Sequence, residues 1–499
     1  MSEPRLSSWL APLARFRPDA EALFDVATGR RWTYASLQAD SQRWAARLRA
    51  EGVAPGDRVA VLAANRGETF ALLFAAAELQ ATLFPMNWRL SPAELAWQLE
   101  HAAPRVLFTD PAHAGRVPFG GCTLSLDDDP GTDRFEGPGA PLDAPWQLMY
   151  TSGSTGRPKG ALLTHRQTVF NAVNTGLACS LVPDDATLTF TPLFHTGGMN
   201  CLSTPLFFVG GRVVLTTGVD AAQSFELVAR ERVTLLMGVP TIYQLLADHP
   251  GFAQADLSSV RDALCGGAPL PVALLERWLD RDIPLRQGFG MTEVGPNCFS
   301  MPPARVREKL GSVGLPIHLG QVRVVDAATG APAAIDAPGE LQFRGPTVFG
   351  GYLDDPAATA KAIDADGWFH TGDIVSVDAD GFFTVRGRLK EMFISGGENV
   401  YPAEVEAAIL EHDGVALAAV VGVPDERWGE VGHAYVELRP DHTLDDAELR
   451  DFLAHRLARF KQPKRIVVVA PEALPRTASG KLDKVALQKQ AATDAPSVE

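Results

Sequence analysis

The chain has 499 residues, 46% of them hydrophobic and 21% charged. That balance excludes a disordered or fibrous protein and leaves room for two or three domains with sizeable cores. A formal charge of -15 argues against a nucleic-acid or anionic-membrane partner held by bulk electrostatics, so any anionic ligand must be held locally.

In chain order, Met1 to Phe16 mixes apolar and charged residues and does not read as a secretory signal. From Asp57 the text alternates short apolar runs with amphipathic stretches: Arg58 to Ala64, a helix from Gly67 to Leu79, Ala81 to Met86, a helix from Ser91, then Arg105 to Thr109. This is α/β grammar. Ser91-Pro-Ala-Glu94 spells a capping box with proline at the first helical position. The most apolar stretch, Thr69 to Phe84, is broken by Glu78 and Gln80 and is too short to cross a bilayer, so no membrane span is expected.

The alternation continues through Gln147 to Ser152, Arg212 to Thr216, Thr234 to Val239 and Asp262 to Gly266, giving one large α/β body to about Gly290. After Lys309, short strands with Gly/Pro turns (Gln321 to Val325, Gly339 to Arg344, Gly381 to Val385) predict a small β-rich subdomain. Beyond Arg388 a compact α+β unit is expected, with a frayed tail from Ala491. The predicted domains are therefore 1–388 and 389–499. Five dispersed cysteines show no disulfide or zinc spacing, which fits a reducing cytoplasm.

The segment Tyr150-Thr-Ser-Gly-Ser-Thr-Gly-Arg-Pro-Lys-Gly160 follows an apolar strand and precedes a helix expected near Thr164. Thr151, Ser152, Gly153, Ser154, Thr155, Gly156 and Lys159 offer backbone N–H groups, hydroxyls and one ammonium, the donors a polyphosphate requires. It is not a Walker A loop, because Pro158 stands where a glycine is needed. A flexible surface loop rich in turn residues is the plain alternative.

This loop and the segments after it, in order, resemble the adenylate-forming superfamily of acyl-CoA synthetases, luciferases and peptide-synthetase adenylation domains. Gly288-Phe-Gly-Met-Thr-Glu293 is similar to its second nucleotide motif. The resemblance implies that Phe289 stacks near adenine on a backbone opened by Gly288 and Gly290, that Thr292 contacts phosphate, and that Glu293, with Thr151, meets Mg2+. Gly267 and Ala268 resemble the segment lining the adenine and acyl pockets. Trp368-Phe-His-Thr-Gly-Asp373 resembles the ribose motif, and Gly387-Arg-Leu-Lys-Glu391 the hinge motif, so Asp373 and Arg388 are expected at the nucleotide and Lys390 at the pivot.

Ser395, Gly396 and Gly397 resemble the loop that serves coenzyme A, and Pro475-Arg-Thr-Ala-Ser-Gly-Lys481 the catalytic lysine motif. An ammonium at the bond between the α and β phosphates would stabilise charge developing during in-line attack. His195 matches a gate beside an acyl pocket expected to include Gly198, Met199, Gly267 and Gly288.

The resemblance implies an α/β fold with a mobile α+β lid and an acid-thiol ligase that uses ATP, Mg2+ and coenzyme A on a medium-chain or aryl (cinnamate-like) acid. The absence of a basic residue between His195 and Cys201 disfavours a second substrate carboxylate, a reading that Arg286 could overturn. Two other readings stay open: an adenylating enzyme that loads a carrier protein, and a non-catalytic nucleotide-binding protein on the same fold. The basic cluster Arg456, Arg459, Lys461, Lys464 and Arg465 reads first as a solvated face and second as a phosphate contact. A homodimer would be unsurprising.

Overall fold

The computed structural model describes residues 5–6, 8–151, 158–396, 398–425, 427–440, 442–471, 473–476 and 482–493. They form two compact units, Met1–Val322 with Phe343–Phe369, and Arg323–Gln342 with His370–Glu499.

The first unit is built on two mostly parallel sheets. The six-stranded one runs in the order Lys159–Thr164, Pro145–Thr151, Thr82–Pro85, Arg58–Leu62, Val106–Thr109, Cys122–Ser125. The seven-stranded one runs Leu285–Gln287, Asp262–Cys265, Leu235–Gly238, Ala186–Thr189, Arg212–Leu215, Glu21–Asp25, Arg31–Thr33. Apolar four-residue strands buried on both faces, such as Val106–Thr109, are what a helix-covered parallel sheet requires. The helix Pro92–Ala102 starts on the predicted capping box: Ser91 Oγ accepts from the Glu94 backbone N–H at 3.3 Å, and the Glu94 carboxylate accepts from the Ser91 N–H at 2.8 Å.

In the second unit, residues Asp373 to Val377 of one strand pair antiparallel with the strand Phe383–Arg388. The long hairpin Val415–Asp425 and Gly429–Leu438 is extended in parallel by Arg465–Val469. Helices Pro402–Leu410 and Asp446–Ala454 contribute Val405, Ile409, Leu449 and Leu453 to the core over this sheet, where Val420, Ala434 and Val436 are fully buried.

The helix expected near Thr164 starts at His165 with Thr164 as its cap, but a strand the sequence reading did not place, Lys159–Thr164, comes before it; the loop thus joins the arms of a hairpin in which Lys159 faces Thr151, and one further expectation needs correction. The chain also does not fray at Ala491, because the helix Lys484–Thr493 buries Leu487 and Ala491 against Ala419, Val421 and Val423. Among the described residues, no helix is long and apolar enough to cross a membrane.

Candidate active site

In the first unit, the hairpin places Thr151 and Lys159 at its open end. The segment Gly350–Leu353 lies along the second arm, with Leu353 N–H donating to Gly160 O at 2.8 Å and Leu162 N–H to Gly351 O at 2.9 Å. That docking brings Tyr352 beside both ends of the loop. Its hydroxyl donates to Glu293 Oε1 at 3.0 Å, and the Lys159 ammonium stands 4.9 Å from its ring centroid. Thr151 Oγ1 reaches the same Glu293 oxygen at 3.4 Å. Thr151, Lys159 and Glu293 are therefore gathered around one tyrosine that the sequence reading missed, since only a contact between distant segments marks it.

Glu293 is held from behind by its own carbonyl, which accepts from Phe349 N–H at 2.8 Å, while Gln167 Nε2 donates to Thr292 O at 2.8 Å. Gly290 packs so tightly that a Cβ would fall 2.1 Å from Pro296 O, so the irregular pairing of Phe289–Met291 with Gly295–Ser300 requires glycine there. Gly267 adopts φ +81° and is exposed with Ala268, and Gly288 N–H donates to Cys265 O at 2.8 Å. Phe289 meets Phe299 edge to face at 5.8 Å, and its ring is half-buried.

His195 is half-buried against Phe194, ring centroids 4.6 Å apart, at the head of a π-helical turn, Gly197–Cys201. Asn65 fixes the preceding loop, donating to Thr191 O and accepting from Leu193 N–H at 2.9 Å. Gly198 is compelled, because a Cβ would fall 2.3 Å from Pro192 O. Met199 is fully buried. Arg286 offers nothing to a substrate carboxylate. It is 1% exposed, forks onto Asp262 through Nε and Nη2, and donates from Nη1 to Ser300 Oγ and Met301 O at 2.9 and 2.8 Å.

In the second unit, Asp373 and Arg388 face each other across adjacent strands, and Arg388 Nε donates to Asp373 Oδ1 at 2.7 Å. Lys390 is exposed in the turn that follows. Ser395 is buried at the end of a short strand, and Gly396 adopts φ +62° with its N–H donating to Trp428 O at 2.8 Å. Trp428 is 44% exposed beside it, a neighbour that the linear motif did not announce. Lys461, Lys464 and Arg456 pair with Glu404, Asp425 and Glu411. Ser152 to Gly156, Gly397 and Lys481 lie outside the described residues.

Among the described residues no cluster of three or more His, Cys, Asp or Glu could cage a metal ion. One carboxylate, Glu293, with one hydroxyl, Thr151, is instead the donor set that suits Mg2+ arriving with nucleotide phosphates and keeping most of its waters.

The first unit thus offers a hairpin end with a carboxylate and a hydroxyl beside it, and the second an Asp–Arg pair, a set of groups suited to a nucleotide. Residues 11–353 match the family model "AMP-binding enzyme", and residues 404–481 match "AMP-binding enzyme C-terminal domain". The chain belongs to this family, the adenylate-forming superfamily, as an acyl-CoA ligase. It is 43% identical over 495 residues to a feruloyl-CoA synthase of Amycolatopsis sp, covering 97% of this chain and 98% of the relative. It is 39% identical to an indoleacetate–CoA ligase of Aromatoleum aromaticum, with 96% of each chain covered. Its structure is similar to o-succinylbenzoate CoA synthetase of Bacillus subtilis in complex with its acyl-adenylate intermediate (TM-score 0.87, 32% identity, 99% of this chain and 100% of the other). It is also similar to ATP-bound MatB of Rhodopseudomonas palustris (TM-score 0.89, 30% identity, 97% and 99%).

Proposed function

We propose that this ligase activates a monocarboxylic aryl or arylpropenoic acid. The observation that carries this reading is the similarity along the whole chain to a feruloyl-CoA synthase and an indoleacetate–CoA ligase; the buried Arg286, engaged by Asp262, Ser300 and Met301, removes the guanidinium that the sequence offered for a second substrate carboxylate. His195 would gate the acyl pocket, and the exposed Gly267, whose nearest neighbour to a Cβ is 3.5 Å away, leaves a flat ring room to approach the backbone.

In the first half-reaction a substrate carboxylate oxygen attacks the α-phosphorus of ATP, and the bond to the β-phosphate breaks with release of pyrophosphate. Thr151, Lys159 and the Ser152–Gly156 segment bind phosphate oxygens, Lys481 stabilises the developing charge, and Glu293 and Thr151 would hold Mg2+, which would neutralise charge on the leaving phosphates. Asp373 and Arg388 orient the nucleotide. In the second half-reaction the coenzyme A thiol attacks the acyl carbon, AMP leaves with the bonding electrons, and the thiol proton passes to solvent. Ser395, Gly396 and Gly397 serve that step, after residues 389–499 pivot at Lys390 relative to residues 1–388.

We place this chemistry in the reducing cytoplasm, where five free cysteines are stable. A homodimer belongs to the same proposal and is read by sedimentation. The test is pyrophosphate release from ferulate, indoleacetate, octanoate and a dicarboxylate, each with and without coenzyme A. Ferulate or indoleacetate is expected to give coenzyme A-dependent AMP turnover, and preference for the dicarboxylate would overturn the reading. Pyrophosphate without that turnover would favour a carrier-protein acceptor.

A further inference from the structure

Lys484 is the first residue of the helix Lys484–Thr493, where a cation opposes the helix dipole and would be selected against on helix stability alone. Its ammonium is nevertheless drawn inward between two carboxylates, 2.7 Å from Glu406 Oε1 and 3.2 Å from Glu391 Oε2. Glu391 is the residue immediately after Lys390. Glu406 sits on the helix Pro402–Leu410 and also accepts from Val420 N–H at 2.7 Å, tying that helix to the central hairpin.

The chain just upstream is closed in a defined way. Arg476 and Leu482 form an antiparallel bridge, and Asp483 N–H donates to Pro475 O at 2.8 Å, so both ends of the segment carrying Lys481 are pinned to each other. Downstream, Leu487 and Ala491 are buried and Gln488 Nε2 donates to Gly422 O at 2.8 Å. The pinned ends thus rest on a helix fixed to the sheet, and Lys484 joins that helix to the residue beside the hinge.

We propose that Lys484, Glu391 and Glu406 form a rigid link that transmits rotation at Lys390 to the segment bearing Lys481, making Lys484 and Glu391 positioning residues for acyl-adenylate formation. The proposal rests on the readings of Lys481 and of a pivot at Lys390 given above. The link acts selectively. The coenzyme A loop at Ser395–Gly396 follows the hinge directly through the strand Phe393–Ser395, whereas Lys481 comes far later in the chain and the ion pair of Lys484 with Glu391 adds a direct tie from its helix to the residue beside the hinge.

The experiment uses the full chain with ferulate. ATP–pyrophosphate exchange reads the first half-reaction, and coenzyme A-dependent release of AMP from supplied feruloyl-adenylate reads the second. Lys484→Met and the isosteric Glu391→Gln are expected to lower the kcat of exchange by about 10²-fold, the scale of a roughly 1 Å misplacement, with KM for ATP and ferulate unchanged. The second half-reaction should stay within about twofold of wild type, and Lys484→Arg should restore exchange. Equal loss in both halves, or unchanged exchange in both variants, overturns the link. Lys481→Ala separates the two ideas: if it leaves exchange intact, the reading of Lys481 fails and the link with it. If it abolishes exchange while Lys484→Met does not, the link alone fails.

Discussion

Arg388 and Asp373 are register partners on antiparallel strands, and the 2.7 Å contact between Nε and Oδ1 holds a nearly buried carboxylate in one orientation. Arg388 Nη1 also donates to Thr371 O at 3.3 Å, so the guanidinium is braced at two points. Asp373→Asn keeps the shape and removes the charge. Hydrogen bonds to charged groups contribute about 1.5–3 kcal/mol, so KM for ATP is expected to rise by about ten- to a hundredfold while thermal stability shifts little. Steady-state kinetics beside a melting curve check this.

Gly290 and Gly288 should respond differently to alanine. At Gly290 the new methyl would sit 2.1 Å from Pro296 O, against backbone that has no room to retreat; at Gly288 the nearest atom, Phe299 O, is 3.3 Å away. Gly290→Ala is expected to cost about 1–3 kcal/mol or more and to weaken ATP binding, with Gly288→Ala the milder of the two. Urea midpoints and ATP titration of both variants would show it.

Arg286 is structural, and its variants should reveal that. Removing one member of a buried ion pair costs about 3–5 kcal/mol because the other charge is left without compensation. Arg286→Met should therefore lower the melting temperature sharply while the folded fraction keeps the same ranking of acids. A changed ranking would return Arg286 to the substrate pocket.

His165 lies flat on Trp146, ring centroids 4.6 Å apart and 9° from parallel, and among the described residues neither ring nitrogen has a hydrogen-bond partner. Burial pushes its pKa down to about 3. The unfolded chain protonates this imidazole near about 6.5, so below that pH the unfolded state binds more protons than the folded one. The stability His165 contributes is full above about 6.5 and is lost toward pH 3, by up to about 1.4 kcal/mol per unit. His165→Phe should flatten the pH dependence of the urea midpoint between neutrality and mild acid.

Lys390 is exposed in a turn, with the flanking residues bonded: Leu389 N–H to Gly372 O at 2.8 Å and Glu391 N–H to Arg388 O at 3.0 Å. Lys390→Pro fixes φ at one position while leaving both neighbouring bonds in place. It is expected to slow thioester formation more than adenylation, and an equal loss in both halves counts against a pivot at this residue.

Much of the fold was legible because its signals are local. The capping box at Ser91 and Glu94, the apolar runs of the parallel sheets and the strand Arg465–Val469 all follow from neighbouring residues and their periodicity. The strand Lys159–Thr164 escaped notice because glycine- and proline-rich text before it reads as loop, and only pairing with Pro145–Thr151 makes it a strand. Ala491 looked like tail because its neighbours are small and polar; a hydrophobic face contributed by the Val415–Asp425 strand decides its burial.

The sequence by itself determined the chemistry available: by resemblance, the order of motifs from Thr151 through Glu293 and Asp373 to Lys481 implies a phosphate binder, a metal-facing carboxylate, a ribose acceptor and a catalytic ammonium. Tertiary structure decided which partners each residue meets. It put Tyr352 between Lys159 and Glu293, closed Arg286 onto Asp262 and drew Lys484 between Glu391 and Glu406. Such pairings join residues 24 to 193 positions apart, as Arg286 with Asp262 and Tyr352 with Lys159 illustrate, and no local propensity encodes them. They exist because a buried charge or hydroxyl must find a partner, and only the packed chain determines which one is within reach.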